Sequence, residues 1–212
     1  MKEVLGIWLP DFDGHFATQI AGGPRVGGKG TYQFKKYQAA LAFVKRRGHA
    51  VDAGAHVGLW SRVMAMDFER VTAIEPVAEH RACFVLNAPD RTTMLPYALG
   101  ASPGSLRIDA RPTDNSGNAR ISEDGEEVEV VTLDSLGLED IDLLKIDVEG
   151  YEYEVLIGGE QTIRAQKPVI VVEQKAGQAE RYGRGRWDAV SLLKSWGMKQ
   201  KQEIGGDHIM VF

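Results

Sequence analysis

The chain has 212 residues, a formal charge of −5 and 43% hydrophobic residues, enough apolar material for one generous core. The acidic balance argues against a sequence-blind nucleic-acid binder, and the single cysteine, Cys83, excludes an internal disulfide and a cysteine-based zinc site. No apolar run approaches a membrane span and MKEVLGIWLPDFDGHF lacks the sustained apolar stretch of a secretory signal, so a cytoplasmic setting is expected.

In chain order, residues 1–30 are glycine-rich and read as an irregular arm. From Thr31 to Arg47, Phe34, Tyr37, Ala40, Leu41 and Val44 recur at helical spacing, which predicts an amphipathic helix ended by Gly48. Apolar strands then alternate with helices. Strands are predicted at His49–Ala53, Arg70–Ile74, Thr92–Tyr97, Asp142–Asp147 and Pro168–Glu173, and helices at Trp60–Met66, Ala78–Asn87, Glu152–Ala165 and Trp187–Ser195. Such alternation indicates an α/β protein with a mostly parallel sheet and helices on both faces. Residues 100–133 break the pattern: Ser105–Ala110 and Glu127–Thr132 flank polar turns and read as a hairpin-bearing insertion. At the end, Met198–Gln202, the turn IGGD and His208–Phe212 read as an antiparallel hairpin closing the sheet.

Candidate chemistry starts at AVDAGAHVGLWS, residues 50–61, where a strand ends and a helix begins. Gly54 permits a sharp turn and Gly58 a close approach to the helix start. The spacing is not the G-x-G-x-x-G of a dinucleotide site, and Asp52 would repel a pyrophosphate while suiting a ligand amine. Glu75, 23 positions after Asp52 at the end of the next strand, is placed to accept hydrogen bonds from ribose hydroxyls. An amine and a ribose without a pyrophosphate describe S-adenosylmethionine, with Tyr97 and Ala98 flanking the adenine. His56 reads as loop packing or a cofactor contact, and His80 as a surface residue.

In LLKIDVEGYEYEVLIGG, residues 143–159, alternation puts Lys145, Asp147 and Glu149 on one side of a strand. A lysine inside an apolar strand needs partners, which Asp147, Glu149 and Glu173 can supply. The alternative is a structural ion-pair cluster.

The segments VDAGAHVGLWS, TAIEP, VVTLDSL, LLKIDVEGYEYEVLIGG and VVEQ resemble the FkbM family of S-adenosylmethionine-dependent methyltransferases over residues 33–212. Asn87 and the DNSG turn at 114–117 add to the likeness. The resemblance implies a Rossmann-like class I methyltransferase fold, whose seven-stranded sheet ends in an antiparallel C-terminal strand. It implies cofactor roles for Asp52, Gly54, Gly58 and Glu75; one methyltransferase domain is expected over 31–212, with Ala55, His56, Pro76, Tyr97 and Ala98 completing the expected cofactor contacts. It also implies O-methylation of a small-molecule or saccharide hydroxyl. An alcohol acceptor needs a base; Asp147 is the first candidate, followed by Glu149, Glu173 and Lys145. No metal is expected. Two other readings stay open: a cofactor-binding protein without catalysis, and a nicotinamide-dependent oxidoreductase on the same sheet. Between Pro24 and Arg47 lie seven basic residues and no acid (Arg25, Lys29, Lys35, Lys36, Lys45, Arg46, Arg47). They read either as a hold on an anionic acceptor or as a solvated basic face.

Overall fold

A computed structural model describes residues 1–111 and 113–212 of the chain. Pro112, the first residue of the polar turn PTDNSGN, lies outside the described residues. The strands are β1 (Lys2–Val4), β2 (Ile7–Leu9), β3 (Arg25–Val26), β4 (Lys29–Gly30), β5 (His49–Ala53), β6 (Arg70–Ile74), β7 (Thr92–Leu95), β8 (Ala98–Leu99), β9 (Gly104–Asp109), β10 (Arg120–Ile121), β11 (Glu126–Val131), β12 (Ile141–Ile146), β13 (Val169–Glu173), β14 (Lys199–Ile204) and β15 (Asp207–Val211). The helices are α1 (His15–Gly22), α2 (Phe34–Leu41), α3 (Leu59–Asp67), α4 (Ala78–Asn87), α5 (Glu152–Ile157), α6 (Glu160–Gln166) and α7 (Asp188–Ser195).

Seven strands form the central sheet in the order β14-β15-β13-β12-β5-β6-β7. All neighbours pair in parallel except β15, which runs antiparallel to both β13 and β14. The C-terminal hairpin therefore inserts its last strand one place inside the edge. The strand order reverses between β5 and β12, and the crevice at their C-terminal ends is where such sheets bind ligands. Residues on both sheet faces are apolar and buried, as a two-sided parallel sheet demands.

Several elements differ from the sequence expectation. The helix predicted over residues 31–47 is confined to α2. Glu152–Ala165 is two helices, not one, broken at Gly158–Gly159, where any Cβ on Gly158 would come 2.0 Å from the Gly100 carbonyl oxygen. The first thirty residues, expected as an irregular arm, carry two short hairpins and α1. Ile7, Leu9, Phe16 and Ile20 are buried there against Val57, Leu59 and Cys83. Asn87 fastens the segment: its amide donates to the carbonyls of Trp8 and Val57, and its side-chain oxygen accepts from the Trp8 amide at 2.7 Å. Leu59 to Ala65 of α3 are all buried in consequence, because the helix is enclosed by the sheet on one side and this segment on the other. The insertion forms a second sheet, β10-β9-β11-β8, in which the β9–β11 hairpin is joined by β8 in parallel. No helix in the described residues is long and apolar enough to cross a membrane.

Candidate active site

The β5–α3 loop is shaped by its neighbours. Gly54 has φ +76°, and a Cβ there would fall 1.9 Å from the carbonyl oxygen of Asp147, so the end of β12 requires glycine. Gly58, with φ +87°, faces the Phe84 ring at 2.7 Å from its would-be Cβ. The sequence reading reserved that gap for a ligand, but the α4 ring fills it.

Asp52 is fully buried behind the cavity wall. Its Oδ2 accepts from Ser61 Oγ at 2.7 Å, and its Oδ1 lies 3.2 Å from Lys145 Nζ. Lys145 also donates to the Gly54 carbonyl at 3.2 Å, lies 3.6 Å from Asp147 Oδ2 and sits over the Trp60 ring. The positive partner expected from a ligand amine is thus Lys145 itself. Burial disfavours the charged lysine, yet Asp52 and Asp147 outweigh it and hold its pKa above the ordinary value. Burial pushes the Asp52 carboxyl up, against the pull of Lys145.

Glu75 ends the next strand and is also buried. Its Oε1 accepts from the Val77 amide at 2.9 Å and from His80 Nδ1 at 3.2 Å; its Oε2 accepts from the His56 amide at 2.9 Å. Burial opposes its ionisation, but His80 and the two amides prevail and hold the carboxyl below the usual range. His80, read from sequence as a surface residue, is 2% exposed because it serves this carboxylate. His56 has φ +52° and packs edge-on against His80. Its Nε2 donates to Ser116 Oγ at 2.7 Å, and the Ser116 hydroxyl donates on to buried Asp13. Burial, with His80 adding to it, holds the His56 ring well below its usual pKa and therefore neutral. The network assigns protons to His56 Nε2 and His80 Nδ1. His56 Nδ1 and His80 Nε2 are buried and have no hydrogen-bond partner among the described residues.

Beyond β12 the chain turns back through Glu149 (φ +57°) and Gly150, and buried Glu152 fixes the turn by accepting from the amides of Val148 and Gly150 at 3.0 Å each. The turn brings Glu149 to Asp147 and to Glu173 at the end of β13, with a carboxylate oxygen of each within 4.8 Å of the others. Glu149 accepts from Gln178 Nε2 at 2.7 Å, and Glu173 pairs with Lys175. Burial and then the Asp147 charge push Glu149 up to about 8 and Glu173 up to about 9. Asp147 goes the other way: burial would raise it, but Lys145 and then Lys175 hold it below the ordinary value.

Both groups border one cavity of about 1080 Å³, open mouth included. Gly54, Ala55, His56, Glu75, Pro76, Tyr97, Ala98, Lys145, Asp147 and Glu149 line it, whereas Asp52, Gly58 and Glu173 do not. The sequence reading missed Phe16 and Tyr32 from the N-terminal segment, Ser116 and Arg120 from the insertion, and Lys175 and Tyr182 beyond β13. A basic residue two positions after Glu173 was the one available signal among these. Within the basic stretch Lys36 is engaged by Asp207, on the last strand, while Lys35 is exposed.

Residues 52–197 match the family model of the methyltransferase FkbM domain, so the chain belongs to the FkbM methyltransferase family. Among solved structures, an FkbM methyltransferase from Methylobacillus flagellatus KT is similar at 21% identity and TM-score 0.48. The match covers 78% of this chain and 43% of that protein, so this chain spans less than half of the relative's length. A precorrin 8W decarboxylase from Methanobacterium thermoautotrophicum aligns at 15% identity and TM-score 0.50, covering 89% of this chain and 86% of its own. A Streptococcus mutans protein assigned as a methyltransferase and solved with SAH aligns at 9% identity and TM-score 0.51, covering 84% and 94%. The last two support the Rossmann-like methyltransferase fold. No curated protein matches the sequence.

Proposed function

We propose that this methyltransferase methylates a hydroxyl of a sugar or other small metabolite, with Asp147 as the general base. The observation that carries the reading is one cavity with the bonded Glu75 on one side and a partly exposed, charge-stabilised Asp147 on the other.

The cavity suits the donor's adenosine. Among the described residues Glu75 Oε2 accepts a single hydrogen bond, from the His56 amide, and both His56 and His80 line the cavity. Pro76, Tyr97 and Ala98 offer apolar surface for a flat ring, and Gly54 and Ala55 border the same space. When bound, the donor supplies an electrophilic methyl group on a sulfonium. Asp147 receives the proton of the acceptor hydroxyl; Lys145 keeps it ionised and fixes its direction. Asp52 acts one step back, by holding Lys145. Phe16 and Tyr32 add aromatic surface to the cavity wall from the N-terminal segment. Lys175 and Arg120 on the cavity wall favour an acceptor bearing an anionic group, held by the insertion and the β13 end in place of the basic 24–47 stretch.

The test is transfer of labelled methyl from S-adenosylmethionine to a panel of sugars, sugar phosphates and small alcohols. Asp147→Asn is expected to lower kcat by about 10²–10⁴-fold while leaving affinity for S-adenosylhomocysteine unchanged. Full turnover by that variant would remove Asp147 as the base. Methylation confined to nitrogen or carbon would remove the hydroxyl acceptor.

A further inference from the structure

We infer that Asp147, Glu149 and Glu173, with Gln178 at their edge, form a binding site for one hard divalent cation of the Mg²⁺ or Mn²⁺ kind. The three carboxylates each present an oxygen within 4.8 Å of the other two. Ligand atoms on opposite sides of a Mg²⁺ ion lie about 4 Å apart, given bonds of roughly 2.0–2.1 Å, so small side-chain rotations would close the set.

Two observations separate this cluster from a mere patch of acids. Gln178, which carries no charge, is 8% exposed and places its amide head against Glu149, donating at 2.7 Å through Nε2. Its Oε1 on the same head has no hydrogen-bond donor among the described residues. Glu173 is fully buried, and no hydrogen-bond donor among the described residues reaches its Oε2. Buried oxygens without donors are costly unless something positive joins them.

The cations of the region are already placed: Lys145 lies against Asp52 and Asp147, Lys36 against Asp207 and Lys175 against Glu173, and among the described residues none forms an ion pair with Glu149. Lys145 is enclosed and stays in place, whereas Lys175 is 43% exposed at the cavity wall and is free to yield Glu173 to an ion. A donor set made only of carboxylate and amide oxygens selects Mg²⁺, Mn²⁺ or Ca²⁺ over softer metals. Asp147 and Glu149 border the cavity, so an ion would reach them through its mouth and keep its remaining positions open to an acceptor oxygen. That last consequence rests on the methyl-transfer reading; the site itself does not.

The experiment titrates Mn²⁺ into the full chain alone, reading free Mn²⁺ by its paramagnetic resonance signal. One ion per chain is expected, displaced by Mg²⁺, with Glu149→Gln and Glu173→Gln each weakening it at least about tenfold. Thermal melts give the second readout. Mn²⁺ raises the melting temperature of the native chain, and Glu173→Gln removes that rise while still melting cooperatively without metal. Absence of saturable binding, or both variants binding as the native chain does, overturns the site. Neither donor nor acceptor is in the sample, so this outcome and that of the methyl-transfer test are independent.

Discussion

Glu75 and Glu173 are the same side chain, each at the C-terminal end of a parallel strand and each buried, yet they titrate in opposite directions. Glu75 receives two backbone amides and an imidazole, and its pKa falls. Glu173 receives one half-exposed lysine, faces Asp147, and rises to about 9. Burial is common to both, so the supply of donors decides the outcome. The β5–β6 side of the cavity is therefore a finished structure, and the β12–β13 side is short of positive charge.

The strongest way to break the contrast is Lys145→Met, which removes the one cation fixed on the β12 side. Asp52 and Asp147 would lose their shared partner, and the expected cost is about 3–5 kcal/mol, read by urea denaturation. A loss below about 1 kcal/mol would mean that these carboxylates are neutral in the fold. On the other side, Glu75→Ala leaves the His56 and Val77 amides and His80 without their acceptor. About 2–3 kcal/mol of stability is expected to go; an unchanged melting temperature would contradict the bonded network.

The smallest effect lies outside the cavity, at the N-terminal end of β5. His49 is buried between the Glu139 carbonyl and the Thr72 hydroxyl, and burial lowers its pKa from 6.5. As pH falls below 6.5 the unfolded chain takes up this proton before the folded one does, so the native state loses His49's contribution. The stability difference between the native chain and His49→Gln should shrink from pH 7 towards pH 5. A difference that grows would reverse the sign and require a charged His49.

Much of this was legible in the sequence. His49–Ala53, Arg70–Ile74 and Ala78–Asn87 have the predicted bounds, because apolar runs with clear ends leave little choice of register. Glu75, Lys145 and Asp147 could be singled out because a charge at or inside a buried strand needs a reason. What escaped depends on long-range contact. Asp13 meets Ser116 across 103 positions, and Phe16 and Tyr32 reach a cavity built mostly from later residues. His80 was read as exposed because helical position alone cannot reveal a carboxylate on the preceding strand end. Asp52 and Gly58 were noticed for sound reasons and then found engaged with Lys145 and Phe84, partners that the tertiary fold supplies.

The central claim is that the finished wall around Glu75 receives the adenosine of the methyl donor. Calorimetric titration with S-adenosylhomocysteine, on the native chain and on Glu75→Gln, tests it most directly. Micromolar binding by the native chain is expected, weakened at least about tenfold in a variant that still melts cooperatively. Equal affinity in both proteins would take Glu75 out of the donor site, and no binding by the folded native chain would contradict the account.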